Sequence, residues 1–445
     1  SALYQKTGGW SISLFTVLKE AKGGYVTKVP TAFEGLRPGD TVALLMGGSG
    51  DYLAYAIHRR LQSLGVGGGT VLRLRPAILK AERGMRSKDE DNLTLAETAR
   101  DKPQVFNRMH SRDLPLIETR LALRARMSAM MDRIACEQRL FTRLIGSTFL
   151  AADKNLSPEK SLDDQYKAME ASDPILQVLI KEEEERDAEL ARVVQSLPVF
   201  QQLFAPIKGV GPRIAAGIIA AVGDVRQFWA DPGPIQDLRC QSEKLERQIN
   251  LQQLVPAYSN GMTPEIYQKL LHLHVRWTEA GDQRAPILGE ILRLHSARSK
   301  LRRQGMHRLK KFCGVHVADD GNFARRRIGE GANWSPAARQ ALFLLADQFN
   351  RRPDSVWGQK LIWYKARLRE KHPEVVLGPS KSDPSKLVKH YTDGHIHKMA
   401  IWRTLTKFVE WLYREWAEVA LAEERGGPRP APVSAPTPEM VEMLE

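Results

Sequence analysis

Apolar positions change period several times along the chain. Trp10 to Val17 and Thr41 to Met46 are short runs rich in β-branched residues, which predicts strands. Tyr52 to Leu64 carries apolar residues at helical spacing and closes at Gly65, and Thr70 to Leu74 is β-rich again. Strand, helix and strand in succession predict an α/β domain over 1–113, with further helical pieces at Pro76 to Glu82 and Asn92 to Arg100. From 114 to 147 the pattern turns helical. Leu123, Met127, Met130, Ile134, Phe141 and Leu144 form a heptad-like stripe between charged faces. Ser157 to Ser172 is polar and reads as a loop. Pro174 to Leu197 reads as a second helix, whose acidic run Glu182–Glu185 reads as a solvated face. Residues 114–199 are thus expected to form a coiled-coil spacer, either an antiparallel hairpin or a dimerising element.

Residues 200–228 contain Lys208-Gly209-Val210-Gly211-Pro212-Arg213 before an Ala/Ile-rich helix ending at Gly223-Asp224. Residues 229–310 are helical and strongly charged, and 311–420 form another folded segment. Residues 421–445 are rich in Pro and Gly and are expected to be disordered. Trp334, Trp357, Trp363, Trp402, Trp411 and Trp416 crowd the last third, and most of them are expected in the core.

Composition narrows the classes. In 445 residues, 42% hydrophobic and 27% charged side chains predict a folded chain of two to four domains. The net charge of +14 points to a polyanionic partner. The longest apolar run, Ile214 to Val222, is half a membrane span, and no N-terminal segment reads as a secretion signal. The first residue is Ser1 rather than Met, which leaves room for residues ahead of it. Cys136, Cys240 and Cys313 are too far apart for a CxxC zinc site and form no disulfide framework, which fits a reducing cytoplasm.

Candidate chemistry centres on phosphate. A glycine turn before a small-residue helix lets backbone N–H groups approach a phosphate, and Lys208 and Arg213 add charge. This is the helix–hairpin–helix pattern, which binds backbone without reading sequence. Its bland counterpart is a tight helical turn packed through alanines. Residues 292–311 carry Arg293, Arg298, Lys300, Arg302, Arg303, Arg308, Lys310 and Lys311 with no acid. Such a run predicts an electrostatic footprint for a nucleic acid. Arg325, Arg326 and Arg327 form a second cluster beside Gly321, Gly329 and Gly331. His390, His395 and His397 lack a fourth ligand with convincing spacing, so no metal is expected there. No P-loop, GxSxG or HExxH is present. Asp89, Glu90 and Asp91 would hold Mg²⁺ only with other carboxylates converging on them.

The order of these parts resembles the transposases of the bridge-RNA-guided insertion-sequence family, which also contains the pilin-gene invertases. The resemblance runs through Val42-Ala43-Leu44 to Tyr52-Leu53-Ala54, Ser87 to Glu97, the long helix with Arg124, Arg126, Arg133 and Arg139, and Lys208 to Phe228. It continues through Phe312 to Leu342 and His397 to Trp416. It implies an RNase H-like N-terminal domain with four acidic Mg²⁺-binding positions, and a C-terminal transposase domain whose Ser, just before a Gly, attacks DNA. The expected fold class is therefore α/β plus mainly α: a degenerate RNase H-like domain, coiled-coil helices, a helix–hairpin–helix and a helical C-terminal domain. At the family's catalytic positions stand Ser13, Gly47, Lys88 and Asp91, with Asp320 in place of the nucleophilic Ser. Only Asp91 is retained, and two-metal chemistry needs several carboxylates. Between Phe228 and Lys311 an insertion of about 80 residues departs from the family and is expected to add binding surface or a dimerisation element.

The expectation is a catalytically inactive, transposase-like protein that binds DNA and, by the resemblance, a structured non-coding guide RNA. It would be a dimer or tetramer, cytoplasmic and nucleoid-associated, with no membrane partner and no cofactor. Phosphate contacts are assigned to Lys208, Gly209, Gly211, Arg213, Arg298, Lys300, Arg302, Arg303 and Arg325–Arg327. One alternative is an active recombinase using Mg²⁺ on Asp89, Asp91, Asp40 or Asp51, with Ser335 near Arg339 as nucleophile. The other is an RNA-binding subunit of a larger assembly.

Overall fold

The computed structural model describes residues 14–20, 26–32, 35–46, 50–65, 68–150, 162–229, 232–256, 264–317, 323–324, 334–380 and 385–424. The described part is mostly helical. The chain divides into two compact units, Ser1–Val193 and Val194–Glu445. Among the described residues no helix is long and apolar enough to cross a membrane.

In the first unit, β1 (Leu14–Glu20) and β2 (Val26–Ala32) pair antiparallel as a separate ribbon. The strand read over Trp10 to Val17 overlaps β1 from Leu14 and continues to Glu20, and 1–13 is outside the described residues. The alternating run β3 (Thr41–Leu45), the helix α1 (Gly50–Ser63) and β4 (Thr70–Leu74) form a parallel βαβ unit. A two-residue strand, β5 (Asn107–Arg108), completes a mixed sheet in the order β3-β4-β5. Alternation along β4 divides the core. Val71 packs with Ala54, Ile57 and Leu61 of α1, while Leu72 and Leu74 pack with Leu79 and Phe106. Leu79 belongs to α2 (Pro76–Arg83), which packs beside α3 (Asp91–Asp101).

The long helix is α4 (Leu114–Leu150). The polar stretch expected as a loop contains α5 (Leu162–Ser172), and α6 (Pro174–Gln195) follows. α5 has no apolar stripe that sequence could show, because its core-facing residues, Tyr166 and Met169, are few among charges. The seam of α4 is also rotated from the expected stripe. It buries Ala122, Arg126, Ala129, Cys136, Leu140 and Leu144, while Met127 and Phe141 are 45% and 49% exposed. Two arginines sit in or beside this seam because α6 supplies their counter-charges. Arg126 binds Glu183 at 2.7 Å and Asp187 at 3.1 Å, and Arg133 binds Glu183 at 2.5 Å. The pairing makes α4 and α6 antiparallel. The reading of Glu182–Glu185 as a solvated face holds for the exposed Glu184 and Glu185 and fails at Glu183, which is half-buried in the seam.

The second unit opens with a π turn at Phe200–Phe204 and α7 (Pro212–Val222), then a 3₁₀ turn at Val225–Phe228. Next come α8 (Pro232–Gln248), the single turn α9 (Leu251–Leu254), α10 (Pro264–Glu279) and α11 (Ala285–Phe312). These share their own apolar cluster of Ile249, Leu251, Ile266, Leu270, Leu288 and Ile291. α12 (Pro336–Arg351), α13 (Val356–Lys371), the hairpin β6 (Val376–Pro379) and β7 (Leu387–His390), and α14 (Asp393–Glu424) complete it. α14 is the hub, touching α11, α12 and α13. Phe349, Trp357 and Phe408 meet at its centre with ring centroids 5.2–5.9 Å apart. Trp357, Trp411 and Trp416 are buried, but Trp363 is 37% exposed and Trp334 and Trp402 are half-buried. The helix α14 runs four residues into the stretch expected to be disordered, and 425–445 lies outside the described residues.

Candidate nucleic-acid interface

Local geometry at 207–213 follows from its residues. Ile207 and Val210 are buried, and the Val210 N–H donates to the Ile207 carbonyl at 3.0 Å, closing the turn. Gly209 has φ +92°, a conformation that disfavours any side chain, and a Cβ there would lie 2.6 Å from Arg352 Cδ. Gly211 is the N-cap of α7 and Pro212 its first residue, so no side chain covers the helix start. Ala215, Ala216, Ile218, Ile219 and Val222 bury the other face, and Gly217 brings α7 close to Ala341 of α12.

Lys208 is ion-paired with Asp354, and its ammonium holds the Asp354 carboxyl below the usual carboxylate range. Both side chains are well exposed, so the pair is a weak surface contact that a phosphate could replace. Arg213 is exposed on the first turn of α7. The hairpin thus lies against the Arg352–Ser355 turn between α12 and α13.

α11 corrects the reading of an uncompensated basic run. Its counter-charges come from other turns and helices. Arg293 pairs with Glu290 at 2.5 Å, and the buried Lys310 pairs with Glu410 of α14 at 2.7 Å. Arg308 donates to the Trp229 carbonyl at 3.1 Å, and Arg298 lies 3.4 Å from His295 Nδ1. Lys300, Arg303, His307 and Lys311 remain, all exposed at steps of three and four. They form one solvent-facing row along the helix. No acidic partner is found for Lys300, Arg303 or Lys311 among the described residues. Arg302 lies on the same helix, and its side chain is outside the described residues. Arg325, Arg326, Arg327 and Asp320 lie outside them too.

The acidic positions are occupied in other ways. Ser13 and Gly47 lie outside the described residues. Lys88 and Asp89 are exposed in a 3₁₀ turn capped by Ser87. Asp91 is gripped by both arms of Arg83 at 2.5 and 2.8 Å. Asp40 accepts from the Arg37 N–H at 2.8 Å. Among the described residues no group of three or more His, Cys, Asp or Glu converges as a metal site. Ser335 is spent as the N-cap of α12, accepting from the Ala338 N–H at 3.2 Å. Arg339 is stacked between Trp334 and Trp402, 4.8 and 4.4 Å from their ring centroids, and donates to the Ala324 carbonyl.

A charge network absent from the sequence reading lies between β4, α1 and α4. The buried Arg73 bridges Asp51 at 3.4 Å and Asp113 at 2.9 Å, and Arg120 reaches Asp51 at 3.4 Å. Here guanidinium groups neutralise two buried carboxylates, a role that a cation plays in a metal site. The signal was a lone Arg in the apolar strand Thr-Val-Leu-Arg-Leu. Beside it, burial pushes the His58 imidazole below its ordinary value, outweighing the opposite pull of Asp113.

The histidines near the second hairpin stack rather than converge on a metal. His372 and His395 sandwich the Tyr391 ring at 3.9 and 5.6 Å. His395 Nδ1 accepts from the Tyr391 N–H at 3.0 Å. Compared with protein-family models and with curated proteins, the chain gives no match.

Proposed function

We propose that this chain is a catalytically inactive, transposase-like nucleic-acid-binding protein that holds DNA together with a structured RNA through backbone contacts. The observation that carries the reading is the exposed row Lys300, Arg303, His307 and Lys311 on α11. Lys300, Arg303 and Lys311, without acidic partners on a fixed helix, would displace counterions from the phosphates they meet, and this drives binding. The glycine turn at Lys208–Gly211 and the exposed Arg213 add a second backbone contact in the same unit. Loss of strand cleavage is supported by the fork of Arg83 on Asp91 and by Ser335 serving as a helix cap. The RNA and its guiding role rest on the family resemblance. If a guide is bound, base pairing reads sequence and the protein reads shape.

Self-association belongs to this reading. Met127, Met131 and Phe149 lie on one side of α4, away from the α6 seam, and are 45%, 61% and 65% exposed. An apolar face of that kind favours a homo-oligomer. It also keeps alive the second reading, an RNA-holding subunit of a larger assembly.

The test is to purify the protein from cells of its source and sequence the nucleic acid that copurifies. One abundant structured RNA supports a guided binder. Heterogeneous nucleic acid released by moderate salt supports backbone binding alone. Mg²⁺-dependent cleavage of DNA, lost in Asp89→Ala with Asp91→Ala, would overturn inactivity.

A further inference from the structure

We infer that α13 and the β6–β7 hairpin form a direct reader of double-stranded DNA, in which α13 meets base edges and the hairpin holds the adjoining backbone. This deepens the DNA-binding reading above and rests on it. The elements follow the order helix, short turn, helix and β-ribbon. The turn Arg352–Ser355 is four residues long, the length found in helix-turn-helix units. It is tightly built. Ser355 Oγ accepts from the Gly358 N–H at 3.0 Å and donates to the Arg352 carbonyl at 2.7 Å. A Cβ at Gly358 would collide with that carbonyl.

α13 divides cleanly into two faces. Trp357, Leu361, Tyr364 and Leu368 are buried. Gln359, Ile362, Trp363, Ala366, Arg367 and Glu370 point outward at steps of three and four. These types match the chemistry of the major groove. Gln pairs with adenine, Arg with guanine, and small apolar groups meet the thymine methyl. Trp363 is held between the Lys360 ammonium at 4.3 Å and the Arg367 guanidinium at 5.0 Å. Among the described residues Arg367, Lys371, Lys386 and Lys389 are exposed against Glu370 and Glu374, so the surface carries a positive excess complementary to DNA. An A-form RNA duplex has a major groove too deep and narrow for a helix, which commits the occupant to B-form DNA.

The hairpin is fixed relative to α13. Arg369 Nη1 donates to the carbonyls of Tyr391 and His372 at 3.0 and 3.3 Å, and its other arm pairs with Asp393. The His372–Tyr391–His395 stack locks the same junction. Lys386 and Lys389 are exposed on the ribbon, where phosphate contacts would set register. The surface also adjoins the glycine turn, since Lys208 and Gly209 touch Asp354 and Arg352.

The test is selection of the full chain on random duplex DNA at physiological ionic strength, repeated with Gln359→Ala plus Ile362→Ala and with Lys386→Ala plus Lys389→Ala. All four side chains are half-buried or more exposed, and thermal unfolding verifies each fold. The wild type should enrich a short motif about tenfold or more over shuffled duplex. The α13 variant should lose that preference while binding shuffled duplex as before, and the hairpin variant should weaken all duplexes equally. Binding without a motif, or a motif unchanged in the α13 variant, overturns this inference alone. A change confined to self-association in the α13 variant overturns it in favour of a protein interface. Failure to bind any nucleic acid overturns the DNA reading and this inference with it.

Discussion

At the residue scale the decisive interactions are single charged or glycine positions. Arg73 holds two buried carboxylates, so Arg73→Met removes the ion pair of Asp113 and leaves Asp51 to Arg120, and denaturant unfolding should show a loss of about 3–5 kcal/mol. A loss within experimental error would mean that water already reaches Asp51 and Asp113. Gly209→Ala places a Cβ at φ +92° and against Arg352, and should cost about 1–3 kcal/mol in the same measurement. Burial holds His58, His316 and His397 below their ordinary 6.5. The unfolded chain therefore takes up protons first. Their contribution to stability is complete above 6.5 and is lost as pH falls towards the lower folded values. Melting temperature should drop from pH about 7.5 to 5.5, and replacing all three by Gln should flatten that drop.

At the element scale, much was legible where local chemistry decides. β4 was placed to the residue because Gly68-Gly69 and Pro76 bound a β-branched run. α7 was placed by Gly211-Pro212 and Gly223, which start and stop helices on their own. What was missed depended on distant partners. The α4 seam looked like the Met and Phe side because hydropathy ranks those residues above Ala and Arg. Only Glu183 and Asp187 on α6 make an arginine seam stable. The same logic hid Glu410, which neutralises Lys310 from a helix about 100 residues away. The exposed side of α4 makes its own prediction. Met127→Glu with Met131→Glu should lower the molar mass seen by light scattering to that of one chain. An unchanged mass would place self-association elsewhere.

At the scale of the whole molecule, a net charge of +14 is distributed unevenly. Many basic side chains are spent on internal pairs, in the β4 network, the α4–α6 seam and the α11–α14 contact. Among the described residues, Lys300, Arg303 and Lys311 on the outer row of α11 are exposed cations without an acidic partner. Sequence alone could count the surplus and could not say which cations were spent. The fold shows how a molecule with so many acids can still leave a row of exposed cations without acidic partners. It also shows acidic side chains in structural roles, Asp91 in the fork of Arg83 and Asp113 against Arg73.

The most direct measurement is the salt dependence of DNA and RNA binding for the wild type and for Lys300→Ala, Arg303→Ala, Lys311→Ala combined. All three side chains are exposed, so the fold should be retained. The account predicts weaker binding and a log–log salt slope shallower by about 2–3, since each lost phosphate contact removes about 0.7–0.9. An unchanged affinity and slope in a folded variant would contradict it.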